Sequence, residues 1–115
     1  MIDVDLNDGW EEIKETKGLA SKLLSGDFNE DYGTGFRTRL VRIDPGGETF
    51  APFTHPYWEE VYLLEGTLTA KDGRSYDAPA YVIRPPGTPH GPFVSVEGCL
   101  MLEMQYFADR CEGGT

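Results

Sequence analysis

The sequence predicts an all-β protein in which short antiparallel strands form a barrel or a sandwich. Short runs carry β-branched and bulky side chains at alternate positions, as half-buried strands do. Glycine and proline residues separate these runs at even intervals, which is typical of barrels and sandwiches. The 115 residues suit one core, and the 39% hydrophobic and 12% aromatic content can fill it. We therefore expect a single domain.

Three segments are expected along the chain. Residues 1–17 carry Trp10 and Ile13 among acidic residues, and we predict an N-terminal arm or short helix whose apolar pair docks on the sheet that follows. Residues 18–107 are predicted to form the barrel. Residues 108–115 are expected to be a frayed tail.

The turn residues divide the barrel into strands. The polar segment 25–35 is expected to be a loop, and Asp44–Gly47 is expected to be the tight turn of a hairpin, because it combines a fixed-φ proline with two glycines. Lys71–Arg74 is the sharpest turn signal. The predicted strands are residues 18–24, 36–43, 49–55, 60–65, 67–70, 80–84, 91–96 and 100–107.

The charge of the chain argues against two classes of partner. Asp and Glu number 20 against 10 Lys and Arg, and the net charge of -10 repels nucleic acid and anionic membrane surfaces. The N-terminus has no apolar run of the kind that a signal peptide or membrane anchor needs, so we expect a cytoplasmic protein. Cys99 and Cys111 lack CxxC spacing and are expected to be free thiols, one in a strand and one in the tail, with no catalytic role.

Both histidines are candidate metal ligands. At period two, His55 shares a strand face with Phe53, and Glu59 follows beyond a Pro-Tyr-Trp corner that can bring its carboxylate back to the imidazole. With His90, these donors suit iron, manganese, nickel or zinc. Two alternatives stay open: Glu60 is the ligand if the corner is one residue longer, or both acids are solvated charges on an edge strand.

Two stretches resemble the motifs of the cupin superfamily, and the resemblance spans residues 18–106. Gly47–Gly66 is similar to the first motif, in which a glycine, a His-x-His pair, a glutamate and a second glycine follow one another at set spacings. Pro85–His90 is similar to the second motif, Pro-x-Gly-x-x-His. Three residues depart from the family pattern: Phe53 in place of the first histidine, and Pro79 and Val94 in place of a glycine and an asparagine of the second motif.

The resemblance implies a cupin-type double-stranded β-helix, or jelly-roll, barrel in which His55, Glu59 and His90 bind one divalent metal ion. The residues around the motifs look most like cupins related to the zinc-binding domain of certain anti-sigma factors and to acetylacetone- and dihydroxyacetophenone-cleaving dioxygenases. Because Phe53 replaces one ligand, the ion would keep more open positions for water, oxygen or a bidentate substrate. An aromatic ring there is equally compatible with an apolar ligand pocket.

Further residues are candidates for lining the pocket. The aromatic residues of the corner either rim its mouth or only pack. One arginine of the strand at residues 36–43 either is a surface charge or clamps a substrate oxygen. One face of the last strand faces either the pocket or solvent. The complete set of candidates is Phe53, Tyr57, Trp58, Arg39, Met101, Glu103 and Gln105.

Three functions fit these features. The first is a mononuclear metalloenzyme with dioxygenase-type cleavage of a small diketone or aromatic ketone. The second is a zinc-dependent sensor or ligand-binding module. The third is a metal-free cupin that binds or isomerises a small metabolite, with Phe53 against the ligand. In each case the partner is a small molecule, and an exposed apolar sheet face would explain a homodimer.

Overall fold

The computed structural model describes residues 5–107, which form an antiparallel β-barrel. All strand pairs are antiparallel, and the predicted all-β class is confirmed. In chain order the strands are β1 (Glu11–Glu12), β2 (Thr16–Asn29), β3 (Thr34–Thr49), β4 (Trp58–Ala70), β5 (Ser75–Asp77), β6 (Ala80–Arg84), β7 (Phe93–Ser95) and β8 (Cys99–Tyr106).

Strands β3 and β4 each take part in both faces of the barrel. Residues 36–43 of β3 and 58–66 of β4 pair with opposite edges of β8, which gives a sheet with the order β2-β3-β8-β4-β6. Further along, residues 47–48 of β3 and 69–70 of β4 pair with β7 instead, and β4 also pairs with β5. The two sheets therefore share their long strands and face each other, as in a jelly roll.

A bulge in β4 changes which side chains face the interior. The buried residues are odd-numbered up to Leu63, but the register with β8 shifts between Leu63 and Glu65, and from Leu68 onwards the buried residues are even-numbered. Gly66 follows this bulge and pairs with Cys99; its φ is 83°, and a Cβ there would meet the carbonyl oxygen of Gly98 at 2.0 Å. Glycine therefore permits the close approach of the two strands.

Apolar side chains from both sheets fill the interior. Cys99 is one of them: it is a free thiol in a strand, as predicted, and burial raises its pKa. Ile13 of the N-terminal segment also packs against this core. The core cluster consists of Leu19, Val41, Ile43, Val61, Leu63, Leu68, Cys99 and Met101.

Two segments expected to be a loop and a turn lie largely within paired strands, and of residues 25–35 only 30–33 form a turn. Within 25–35, β2 and β3 stay paired to Asn29 and Thr34, because Gly26 and Gly35 let the two backbones approach where a Cβ would clash. The expected hairpin turn at Asp44–Gly47 is a bulge of β3 opposite Gly18, since β2 pairs on both sides of it.

The expected strand at 49–55 is also wrong, which matters for the site. Strand β3 ends at Thr49, and residues 50–57 form no regular strand; Phe53 makes an isolated bridge to His90. Pro52 and Pro56 explain the interruption, because proline has no N–H group to donate to a strand ladder.

The N-terminal segment forms an arm and not a helix over residues 5–17. Its strand β1 pairs with β2, and the guanidinium group of Arg42 lies over the Trp10 ring at 4.6 Å. In the described part of the chain, no helix is long and apolar enough to span a membrane. The predicted frayed tail and Cys111 lie outside the described residues.

Candidate metal centre

Three side chains predicted as ligands lie together at one end of the barrel interior. His55 is in the segment between β3 and β4, Glu59 is the second residue of β4, and His90 precedes β7. One ligand atom from each lies within 4.8 Å of the others. The two imidazole centroids are 5.0 Å apart, and His90 Nε2 is 3.6 Å from Glu59 Oε1.

Backbone hydrogen bonds between two non-regular segments bring the histidines together. Phe53 and His90 exchange a pair of bonds, from each N–H group to the other's carbonyl oxygen, at 2.8 and 3.0 Å. The N–H group of Gly87 donates to the carbonyl oxygen of His55 at 2.8 Å. His90 Nδ1 lies 3.1 Å from the carbonyl oxygen of Thr88, which leaves Nε2 for the cluster. The proline-rich segment is thus tied to the loop that holds the other imidazole.

The ring of Tyr57 packs against the imidazole of His55 and fixes its orientation. The two rings stack with centroids 4.6 Å apart and an interplanar angle of 7°. Tyr57 also packs edge-on against Phe28 and Phe107. Burial raises the pKa of Tyr57 to about 12, so its hydroxyl stays protonated at neutral pH. Tyr57 is therefore buried beside the ligand and does not rim the cavity mouth.

Burial also sets the protonation of both imidazoles. The pKa of His55 is lowered mainly by burial, with further lowering from the charges of His90 and Arg39, against the opposing charge of Glu59. Burial likewise lowers the pKa of His90. Both rings are therefore neutral at pH 7, which is the form that binds metal ions.

Both carboxylate oxygens of Glu59 have hydrogen-bond donors. The residue is 4% exposed; Oε1 accepts a bond from Arg84 Nη1 at 3.0 Å, and Oε2 accepts one from Gln105 Nε2 at 2.6 Å. The alternative ligand Glu60 faces away from the cluster, because it accepts bonds from the hydroxyl groups of Tyr81 and Tyr106 on the outer side of the sheet. Among the two acids, the structure places Glu59 with the histidines.

The cluster opens onto a mostly apolar cavity of ≈ 150 Å³ between the two sheets. A second ion pair lies in the cavity wall, where Arg39 Nε donates to Glu103 Oε1 at 2.9 Å. Burial raises the pKa of Glu103, and the charge of Arg39 opposes this effect. The apolar part of the wall includes Leu19, Val41, Val61, Leu63, Val82 and Met101.

The predicted lining residues separate into two groups. Phe53, Arg39, Met101 and Glu103 lie in the cavity wall. The other three lie outside the cavity wall. Tyr57 stacks on His55, Trp58 is the first residue of β4, and Gln105 is buried behind Glu59.

Arg84 is a residue of the cluster that the sequence analysis missed. It faces the cavity from β6, directly opposite Glu59 in the pairing with β4, and its guanidinium group lies 5.7 Å from the Phe93 ring centroid. Its position immediately before the Pro85–His90 motif was the available signal. The register that brings it to Glu59 could not be read from the sequence.

The phenyl ring of Phe53 lies beside the cluster, with its centroid 5.7 Å from that of His90 and 6.1 Å from that of His55. The remaining donors fit a divalent metal ion, since two neutral imidazoles and a carboxylate converge and the Glu59 carboxylate partly offsets the ion's charge. The guanidinium group of Arg84 competes with an ion for Glu59 Oε1, but each carboxylate oxygen has a second lone pair.

Comparisons with known proteins agree with this architecture. The model of the ChrR cupin-like domain family matches residues 4–106. No curated protein shows significant sequence similarity to the chain.

Several solved structures share the fold. The polyketide cyclase RemF of Streptomyces resistomycificus is 24% identical with a TM-score of 0.72, over 94% of this chain and 80% of that one. An acetylacetone dioxygenase from Acinetobacter johnsonii is 18% identical with a TM-score of 0.71, over 100% of this chain and 80% of that one. A chain from the Rhodobacter sphaeroides complex of SigE with the anti-sigma ChrR is 19% identical with a TM-score of 0.65, over 87% and 50%. At these identities the likeness shows the fold alone.

Proposed function

Since the chain belongs to the ChrR cupin-like domain family, we propose that it is a mononuclear metalloenzyme that cleaves a carbon-carbon bond of a small β-diketone with oxygen. One observation supports this most: His55, Glu59 and His90 converge at the edge of a mostly apolar cavity between the two sheets. Two histidines with one carboxylate and open positions are the ligand set of non-haem iron oxygenases. A bound ion would supply Lewis acidity and redox chemistry at open coordination positions.

The size of the cavity restricts the substrate. A cavity of about 150 Å³ lined by aliphatic side chains holds a molecule of roughly the size of benzene, and the cavity here is ≈ 150 Å³. This favours a small diketone over a hydroxylated aromatic ketone or a multi-ring compound. The apolar wall would exclude water from the reaction. Because the diketone is short, little of its surface would need polar partners in the cavity wall.

The charged groups of the wall suit an oxygen-rich, anionic substrate. Arg39 and Arg84 both face the cavity, and each guanidinium group has five N–H donors, so each can bond an oxygen besides its carboxylate partner. The two arginines balance Glu59 and Glu103, and with neutral imidazoles a divalent ion would leave a net positive charge. The enolate form of a β-diketone would reduce that charge through two oxygens.

The proposed reaction balances without another co-reactant. Cleavage between a carbonyl carbon and the central carbon, with one atom of oxygen retained on each, converts the diketone and one molecule of oxygen into a carboxylic acid and a 2-oxoaldehyde. The substrate is oxidised and oxygen is reduced, so no external reductant is needed. The chain's own part is to hold the ion, orient the two substrate oxygens and keep the site dry.

Metal analysis and turnover together test the proposal. Protein purified without a metal-affinity tag should contain close to one iron per chain by mass spectrometry, and should consume oxygen with pentane-2,4-dione while forming acid and aldehyde in equal amounts. Zinc without turnover would support a zinc-dependent ligand-binding module instead. An iron-loaded protein that leaves the diketone untouched would refute the assigned reaction.

A cavity variant separates substrate binding from metal binding. Ala80 lies in the cavity wall, on the partly buried side of β6. Ala80→Phe should fill much of the cavity and lower turnover at least tenfold, while the metal content stays at the parent value. A variant with full turnover would show that the substrate does not use this cavity.

A second candidate function is a metal-free cupin that binds or isomerises a small metabolite. The observation in its favour is the ion pair between Arg84 and Glu59, at 3.0 Å, because it neutralises the carboxylate without a metal ion. Absence of any bound metal after purification, together with no uptake of added iron or zinc, would select this function over the first.

We also propose that the protein pairs with a second copy through the outer face of the sheet. Tyr62 and Leu64 of β4 and Tyr81 and Ile83 of β6 are between 38% and 47% exposed, which is a large amount of apolar surface on one sheet face. Light scattering should give twice the chain mass, and Tyr62→Lys should shift the protein to a monomer. A monomeric parent would refute this proposal.

A further inference from the structure

Gln105 lies behind the metal-ligand cluster and not in the cavity wall. It is 1% exposed on β8, opposite Arg37 of β3 and opposite Glu59 of β4. Its amide contacts both neighbours: Arg37 Nε donates to Gln105 Oε1 at 2.6 Å, and Gln105 Nε2 donates to Glu59 Oε2 at 2.6 Å. The three side chains form a continuous chain of hydrogen bonds from a half-buried guanidinium group to a metal-ligand candidate.

Arg37 determines the orientation of the side-chain amide group of Gln105. A guanidinium group donates hydrogen bonds and does not accept them, so the amide oxygen must face Arg37 and the NH₂ group must face Glu59. The opposite orientation would set N–H against N–H at Arg37 and oxygen against oxygen at Glu59. Both ends of Gln105 would then lose their partners in a buried site, at a substantial cost in free energy.

The bond from Gln105 occupies one oxygen of Glu59 and leaves the other towards the cluster. Oε2 is taken by Gln105, whereas Oε1 lies 3.6 Å from His90 Nε2 and also accepts a bond from Arg84. We propose that Gln105, oriented by Arg37, is a positioning residue that fixes which oxygen of Glu59 binds the metal ion. This inference rests on the proposed metal binding by the triad.

Cobalt(II) binding to four variants tests the inference. Gln105→Met keeps the length of the side chain but cannot donate to Glu59, and loss of such an outer-shell partner typically weakens metal affinity by about 10- to 100-fold. At saturating cobalt(II) the visible spectrum should also differ from the parent spectrum, because the carboxylate is free to bind differently. Arg37→Met should act in the same direction, while Arg37→Lys, which keeps a donor, should restore most of the affinity.

Ser95→Ala is the matched control. It also removes a buried hydrogen bond, from Ser95 Oγ to the carbonyl oxygen of Thr67, but on a strand with no ligand of the triad. It should lower the thermal midpoint of the metal-free protein without changing cobalt(II) affinity or the spectrum. If Gln105→Met fails to fold, Arg37→Met decides, since Arg37 is partly exposed and less needed for packing.

The outcomes distinguish the two proposals. A parent protein that binds no cobalt(II) overturns both the metal site and the role of Gln105. A parent that binds cobalt(II), with Gln105→Met and Arg37→Met unchanged in affinity and spectrum, overturns only the positioning role. Weaker binding with an altered spectrum in both variants, and neither change in Ser95→Ala, supports it.

Discussion

Replacing Phe53 with histidine tests how the cluster is related to a four-ligand metal site. The Phe53 ring centroid lies 5.7 Å from that of His90 and 6.1 Å from that of His55, close to the 5.0 Å that separates the two imidazoles. An imidazole at position 53 would therefore reach the same point as the existing donors. We expect Phe53→His to bind zinc or iron more tightly than the parent.

The expected gain in metal affinity follows from the contribution of one ligand to the free energy of metal binding. Four-ligand zinc sites in small peptides bind with about 10–16 kcal/mol, so one ligand contributes roughly 3 kcal/mol, or about a hundredfold in affinity. The substitution also exchanges a packed phenyl ring for a polar ring, at about 1–3 kcal/mol of folding stability. The metal-free variant should thus be less stable than the parent, and the metal-bound variant should recover most of that loss.

Isothermal titration of parent and variant with zinc measures the affinity directly, and thermal unfolding with and without metal measures the stability. If substrate or oxygen uses the position beside Phe53, the variant should also turn over more slowly despite tighter binding. Equal metal affinity in parent and variant would refute the reasoning, because position 53 would then not face the ion.

Three further predictions concern ligation, backbone geometry and pH. His90→Ala should weaken metal binding by about a hundredfold or more, because one of three ligands is lost. Glu12→Gln on the exposed β1 should leave metal binding unchanged. Full metal occupancy in His90→Ala would contradict the ligand assignment. Gly66→Ala should destabilise the protein by at least about 2 kcal/mol more than Gly46→Ala in urea unfolding. Both glycines have positive φ, but a Cβ at Gly66 meets a backbone oxygen at 2.0 Å, whereas a Cβ at Gly46 meets nothing within 4 Å. Equal losses of stability would mean that the backbone around Gly66 moves to make room for the Cβ. Burial lowers the pKa of His55 and His90 below 6.5, so below that pH the unfolded chain binds more protons than the folded chain. The free energy of unfolding of the metal-free protein should therefore rise with pH up to about 6.5. If the slope of unfolding free energy against pH does not shrink in His90→Gln, this cause is refuted.

The fold class and the chemistry available to the site could be predicted from the amino-acid sequence alone. Alternation of side chains and regular turns are local patterns, so the strands at β6 and β8 could be predicted within a few residues. The two histidines could be singled out because each lies in a short motif with characteristic spacing. The same local information failed at residues 49–55, where Pro52 and Pro56 prevent the strand that alternation predicts.

The groups that surround the ligands depend on how strands that are distant in the sequence pair. Arg37 and Gln105 are 68 residues apart and meet because β3 and β8 pair in one register; a shift of one residue would turn Gln105 to the outside. Arg84 reaches Glu59 for the same reason, through the pairing of β4 with β6. Register depends on the whole barrel and on bulges such as that between Leu63 and Glu65, so no local pattern in the sequence could specify these contacts.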